Sequence, residues 1–231
     1  MSLRVACDLD GTLANLEHAL QREAQRIFGE LVSVRAPRTP RPVTGPLRDD
    51  VNARDLRSRG AIPRALSARE QSRLWRHVSE IDNFWETLLE IESGAVSRLA
   101  MTAADQGWEV IFITSRPDTA GATVQVQSQR WLRRHGFELP TVCVVSESRG
   151  KVAAALSLDT VIDDSPENSV DVTADSHAMP LLVWRDAADR LPPGLRRLPI
   201  HVVPTMADAL AFLTRVPADA SAPRRRLGSP R

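Results

Sequence analysis

The chain has 231 residues, 42% of them apolar, and 30 basic against 29 acidic side chains leave a net charge of +1. That is enough apolar material for a core domain with a smaller insertion, and it argues against a disordered or purely structural chain. No apolar run approaches a membrane span, and the chain enters Val5, Ala6 and Cys7 with no room for a cleavable secretory signal, so a cytoplasmic protein with two reduced thiols, Cys7 and Cys143, is expected.

Taken in chain order, the first expected element is a strand over 3–9, ending in Asp8-Leu9-Asp10-Gly11-Thr12-Leu13. Strand side chains alternate, so Asp8 and Asp10 can lean to one side while Leu9 is held in the core. Two carboxylates at the end of a parallel strand lie where open α/β sheets bind ligands, and their mutual repulsion calls for a cation between them. From 14 to 93 the pattern is helical with no convincing strand: a helix over 16–28, an irregular loop with four prolines over 37–46, and a capping box of Ser67 and Glu70 opening another helix. Residues 35–76 hold eleven arginines against Asp49, Asp50, Asp55 and Glu70, a local balance of +7. A solvated surface and the attraction of an anionic substrate compete as explanations of that charge.

Strands are next expected over 109–114, 141–145, 160–162, 181–184 and 201–203. Between them run helical stripes such as Val96, Leu99, Ala100 and Ala103, then Val124, Ser128, Trp131 and Leu132, then Met206, Leu210 and Leu213. Strands alternating with helices predict a parallel sheet covered on both faces. Residues 217–231, with three prolines and four arginines, cannot supply a core and are expected to be a disordered tail.

The strand ends carry the chemistry. After Val110-Ile111-Phe112-Ile113 come Thr114 and Ser115, whose hydroxyls and amides can hold a phosphoryl group or simply cap a helix. Val161-Ile162 runs into Asp163-Asp164, a pair suited to a divalent metal. Lys151 is the only lysine among thirty basic residues. Its retention suggests a place where a compact ammonium fits and a planar guanidinium does not, so Lys151→Arg is expected to impair function.

These four pieces, in this order, resemble the haloacid dehalogenase (HAD) superfamily over about residues 1–13 and 94–170. The resemblance implies a HAD-like α/β fold, a Rossmann-like parallel sheet with a helical cap inserted after the first strand. The expected layout is a core of 1–13 and 94–216, a cap of 14–93 and the tail 217–231. An acid at position 10 is the mark of the phosphatases and phosphomutases within that superfamily. Carried over, Asp8 is the nucleophile, Asp10 the acid and base, Thr114 and Ser115 the holders of phosphoryl oxygens, and Lys151 the offsetting cation. Magnesium would be held by Asp8, the Asp10 carbonyl and Asp164, with Asp163 in support.

A closer resemblance is to the 5'(3')-deoxyribonucleotidases and their bacterial relatives. It rests on residues 8–14, Asn83-Phe84-Trp85 with Gly94-Ala95-Val96, Ile113-Thr114-Ser115-Arg116-Pro117 and Val161-Ile162-Asp163-Asp164. It implies a nucleoside monophosphate as substrate, with Arg116 in the phosphate site and the base gripped by cap aromatics. Since the chain has no tyrosine, these must be Trp75, Phe84 or Trp85, with Phe84 and Trp85 the nearest match. The arginine- and proline-rich part of the cap, Thr12 and Asn15 depart from the family pattern. A phosphatase for a sugar phosphate or other small metabolite shares every catalytic residue. A non-catalytic module binding phosphate or nucleic acid would have no use for four carboxylates at strand ends, so nucleic acid is not expected as partner, and with no apolar run of spanning length neither is a membrane. On oligomeric state the sequence is silent.

Overall fold

In a computed structural model, residues 2–29, 32–33 and 64–215 are described. The proline-rich loop of 37–46 and the tail of 217–231 lie outside them. Strands β1 (Arg4–Asp8), β4 (Glu109–Thr114), β5 (Thr141–Val144), β6 (Thr160–Asp163), β7 (Met179–Val183) and β8 (His201–Val203) form one sheet in the order β5-β4-β1-β6-β7-β8, parallel throughout. Cys7 of β1 is registered with Phe112 on one side and Ile162 on the other. The order reverses at β1, so the carboxyl ends of β1, β4 and β6 open side by side at a topological switch point.

Alternation along each strand sorts the core into two layers. Val5, Cys7, Phe112, Ile162, Leu181 and Val183 pack with α3 (Ala95–Gln106), α4 (Val124–Arg134) and α7 (Met206–Leu213). Ala6, Ile111, Ile113 and Val161 pack instead with α5 (Arg149–Ala155) and α6 (Pro166–Asp175). The helical stripes read from the sequence supply these contacts: Val96, Leu99, Ala103, Trp131, Leu132, Met206, Leu210 and Leu213 are all buried. Close packing of α5 on α6 depends on Gly150, because a Cβ there would lie 2.0 Å from the Asp171 carbonyl oxygen.

Between β1 and α3 the chain makes α1 (Leu16–Phe28) and α2 (Ala68–Glu80). Helix α1 is started by the Asn15 side chain and ended by Gly29 at φ 69°, and α2 by the expected capping box. Two short parallel strands also occur here, β2 (Val32–Ser33) and β3 (Arg64–Ala65). The sequence did not suggest them, since two residues are too few for alternation to register. The two linkers of the insertion pair with each other, Asn15 N–H donating to Leu89 at 2.8 Å and Ile91 N–H to Leu13 at 2.8 Å. A second tie joins the end of α2 to the loop after β4, where Asn83 N–H donates to Ala120 and Ala120 N–H to Ser79, each at 2.8 Å. That tie sets Phe84 and Trp85 at the edge of the core. No helix among the described residues is long and apolar enough to cross a membrane.

Candidate active site

A cleft of about 720 Å³ opens at the carboxyl ends of β1, β4 and β6. Asp8, Asp10, Thr114, Ser115, Arg116, Arg149, Asp163 and Asp164 line its floor, and Trp75 and Trp184 stand among its walls.

Asp8 is in step with Ala6, whose layer is covered by α5 and α6, and there it meets a cation. Arg149 opens α5 directly after the N-cap Ser148, and its Nη2 donates to Asp8 Oδ1 at 2.8 Å. Its Nε lies 3.5 Å from Asp163 Oδ2, an ion-pair contact, and is a buried donor with no hydrogen-bond partner. Asp163, in step with Val161, also accepts from the Ser165 amide at 2.8 Å and from Asn168 Nδ2 at 2.9 Å. Asp164 accepts from the Thr12 hydroxyl at 3.3 Å and comes so close to the turn after β1 that a Cβ on Gly11 would fall 2.3 Å from its Oδ2. Gly11 also has φ +93°, so glycine is required there twice over.

Burial, helped by the neighbouring Asp163 charge, pushes the Asp8 carboxyl well above its ordinary range. The same two causes raise Asp164 to about 7. Asp163 is also raised by burial, against the pull of Arg149. The three carboxylates each offer an oxygen within 4.8 Å of the others. Fully ionised, they leave two negative charges beyond what Arg149 offsets, and an all-oxygen donor set fits a hard divalent cation.

Asp10 lies past the end of β1, in the turn, and strand alternation no longer governs it. Its partners come from the β4 side. Arg116 Nε donates to Oδ2 and Nη2 to Oδ1, both at 2.8 Å, while the Thr114 hydroxyl reaches Oδ2 at 3.4 Å. Asp8 and Asp10 therefore engage different arginines, one from each side of the sheet, and do not share one set of partners. Arg116, expected in the phosphate site, is held by Asp10. Ser115 keeps a half-buried hydroxyl beside the cleft, and Thr114 is buried at its floor.

Lys151 is not brought to the site. Its side chain is 66% exposed, beside Glu147 at 3.4 Å, whereas that of Arg149 is 7% exposed. The reasoning from a compact ammonium fails because the place between Asp8 and Asp163 suits a planar fork that meets two carboxylates at once. The signal for Arg149 was present: a cation at the first helical position after a serine cap, two residues before the lysine. Phe84 is fully buried and does not line the cleft, and Trp85 lines it with 0% exposure. The Trp85 indole is closed in by Arg116 over its face at 4.7 Å, by Phe84 in a T-shaped contact at 5.1 Å, and by a bond from Nε1 to the Pro117 carbonyl at 3.1 Å. Trp75, half-buried on α2, and Trp184, half-buried after β7, are the indoles left partly open at the cleft. Arg185 is a further residue not read from the sequence; it donates to the Gly11 and Thr12 carbonyls at 2.7 and 3.0 Å and pairs with Glu92 at 2.6 Å, bracing the turn after Asp8.

No family model matches the sequence, and no curated protein matches it. The structure is similar to the crystal structure of a HAD family hydrolase from Deinococcus radiodurans R1 with bound phosphate and sodium. The TM-score is 0.51 and the sequence identity 19%, over 92% of this chain and 95% of that one. At that identity the likeness is one of fold: the protein has the HAD-like α/β fold, with its cleft at the end of the central strand.

Proposed function

We propose that the protein is a magnesium-dependent phosphomonoester hydrolase that forms a phosphoaspartate on Asp8, acting on nucleoside monophosphates. The observation that carries this reading is Asp8 itself, a buried carboxylate at the end of the central strand, held by Arg149 and grouped with Asp163 and Asp164. Asp8 attacks phosphorus, the bond to the leaving oxygen breaks, and that oxygen takes its proton from Asp10. Water then attacks phosphorus, the bond to Asp8 breaks, and the water proton passes to Asp10. The net change is ester plus water to alcohol plus phosphate. Arg149 orients Asp8 and offsets negative charge, and Ser115 and Thr114 supply the polar edge for phosphoryl oxygens. Asp8, Asp164 and the Asp10 carbonyl would hold the metal, which when bound offsets the charge on the phosphoryl group. Asp163, with its oxygens committed to Ser165, Asn168 and Arg149, supports from behind.

The nucleotide reading is supported by a cleft of ligand size bordered by Trp75 and Trp184. Asn15, Glu17 and Asp186 in the same cleft would equally suit the hydroxyls of a sugar phosphate. The test is a panel of nucleoside monophosphates and sugar phosphates assayed with magnesium and with chelator, with Asp8→Asn as control. Hydrolysis of nucleotides that needs the cation and drops below about a thousandth in Asp8→Asn is expected. Near wild-type activity in that variant would overturn the phosphoaspartate, and a preference for sugar phosphates would overturn the nucleotide.

A further inference from the structure

Arg116 has the most fully committed guanidinium of the cleft. Its side chain is 0% exposed, two of its nitrogens face the two oxygens of Asp10, and Nη1 donates to Ser128 Oγ on α4 at 2.8 Å. Its carbon lies over the Trp85 ring at 4.7 Å. Trp85 is in turn fixed from both ends, its amide donating to Gln127 Oε1 at 3.1 Å and its indole to Pro117 at 3.1 Å. The plane of the fork is thus set by α4, by the loop after β4 and by the end of the insertion, independently of Asp10.

Asp10 needs such support. It stands in a turn beyond the strand, and the last torsion of an aspartate is a broad, shallow one. A freely turning carboxyl would spend little time aimed at a leaving oxygen, and alignment of this kind is worth a large part of a proton-transfer barrier. Two parallel hydrogen bonds from a rigid fork fix that torsion. Electrostatics points the same way: when Asp10 gives up its proton, negative charge forms on it, and the guanidinium is already in place to meet that charge.

We propose that Arg116 is a positioning residue for Asp10, orienting its carboxyl toward the leaving oxygen and stabilising the carboxylate left when the proton has gone. The inference rests on the phosphoaspartate reading of the same site and deepens it. Arg116 then does not serve as a phosphate ligand, and its effect is confined to the step in which the leaving oxygen needs a proton. A leaving group that is stable as an anion, such as nitrophenolate, does not need one, whereas an alkoxide does.

The experiment measures kcat/KM over a series of phosphomonoesters from simple alkyl phosphates to para-nitrophenyl phosphate. The proteins are wild type, Arg116→Met, Arg116→Lys and Ser128→Ala. This constant covers the steps up to cleavage of the ester bond, so hydrolysis of the phosphoaspartate does not enter. Arg116→Met is expected to lose about 100-fold or more on alkyl phosphates and less than about fivefold on para-nitrophenyl phosphate, the size of a lost proton donor. Arg116→Lys, which keeps the charge and loses the fork, should fall between. An equal loss on every ester would show a phosphate ligand or a packing residue and overturn the proposal. Should both Arg116 variants fail to fold, as read by circular dichroism, Ser128→Ala decides. It frees only Nη1, and a steeper dependence on the leaving group supports the proposal while an unchanged one overturns it. A wild-type protein that hydrolyses none of the esters would sink the phosphoaspartate reading, and this inference with it.

Discussion

Two ion pairs face each other across the end of β1, and they are alike in chemistry and different in construction. Asp8 pairs with Arg149, which comes from a helix packed on one side of the sheet and also touches Asp163. Asp10 pairs with Arg116, which comes from a loop on the β4 side and is anchored by Ser128 and Trp85. On the first side one arginine serves a crowd of carboxylates and leaves a charge deficit that a cation would fill. On the second, one arginine serves one carboxylate and the charge closes. Carboxylates two residues apart can thus be given different work by surroundings that differ chiefly in what lies on each side of the sheet.

The largest effect that would break this comparison is expected from Arg149→Met. Activity should fall by at least about 100-fold, since the charge beside the nucleophile is lost. Stability should fall by about 3 kcal/mol, because Asp8 and Asp163 are left buried without their partner. Arg149→Lys should recover part of both. Rate assays with denaturant unfolding check this, and an active, stable Arg149→Met would show that Asp8 does not depend on it.

The aromatic walls separate next. Trp85→Ala removes a fully buried indole under Arg116 and should cost about 3 to 5 kcal/mol of stability. Trp75→Ala should leave the fold nearly intact and lower kcat/KM for a nucleoside monophosphate by about tenfold, with little change for para-nitrophenyl phosphate. If that ratio does not move, Trp75 is not a platform for a base.

The charge deficit on the Asp8 side has its own signature in pH. A carboxyl whose folded-state pKa lies above its unfolded value takes up a proton on folding, so stability falls as pH rises between the two values. For Asp164 the window runs from 3.8 to about 7, and Asp8 and Asp163 are shifted in the same direction. Glu23 on α1, whose carboxyl is held below its ordinary value by Arg22, His77 and Arg26 against the effect of burial, has the opposite sign and acts only below about 4.5. In chelator the melting temperature should therefore be a few degrees higher at pH 5.5 than at pH 8, and magnesium should close the gap at pH 8. A melting temperature that rises across this range in chelator would contradict it.

The smallest effect is expected from Lys151→Arg, whose side chain stands in solvent beside Glu147. Activity should stay within about twofold of wild type, as for surface substitutions away from a site. A severe loss would return the cationic role to Lys151 and take it from Arg149.

How much of this was legible beforehand follows from the range of the forces involved. Short apolar runs placed β4 and β8 at their observed ends, and the span of α1 and the capping box of α2 were equally plain, because each depends on neighbours within a few residues. The carboxylates at the ends of β1 and β6 were legible for the same reason, as apolar strands running into acids. Which cation meets Asp8 was not, because Arg149 and Lys151 differ by two positions on one helix and only the approach of α5 to α6 through Gly150 decides which of them points inward. Nor was the burial of Phe84 and Trp85, which depends on the loop after β4 being tied to the end of α2. The sequence by itself determined a parallel α/β sheet, the acids at its strand ends and the place of the cleft, since periodicity and strand polarity are local properties of the chain. Only the tertiary structure decided the partners of those acids, Arg149 for Asp8 and Arg116 for Asp10, since a salt bridge between residues more than a hundred positions apart depends on where whole elements pack.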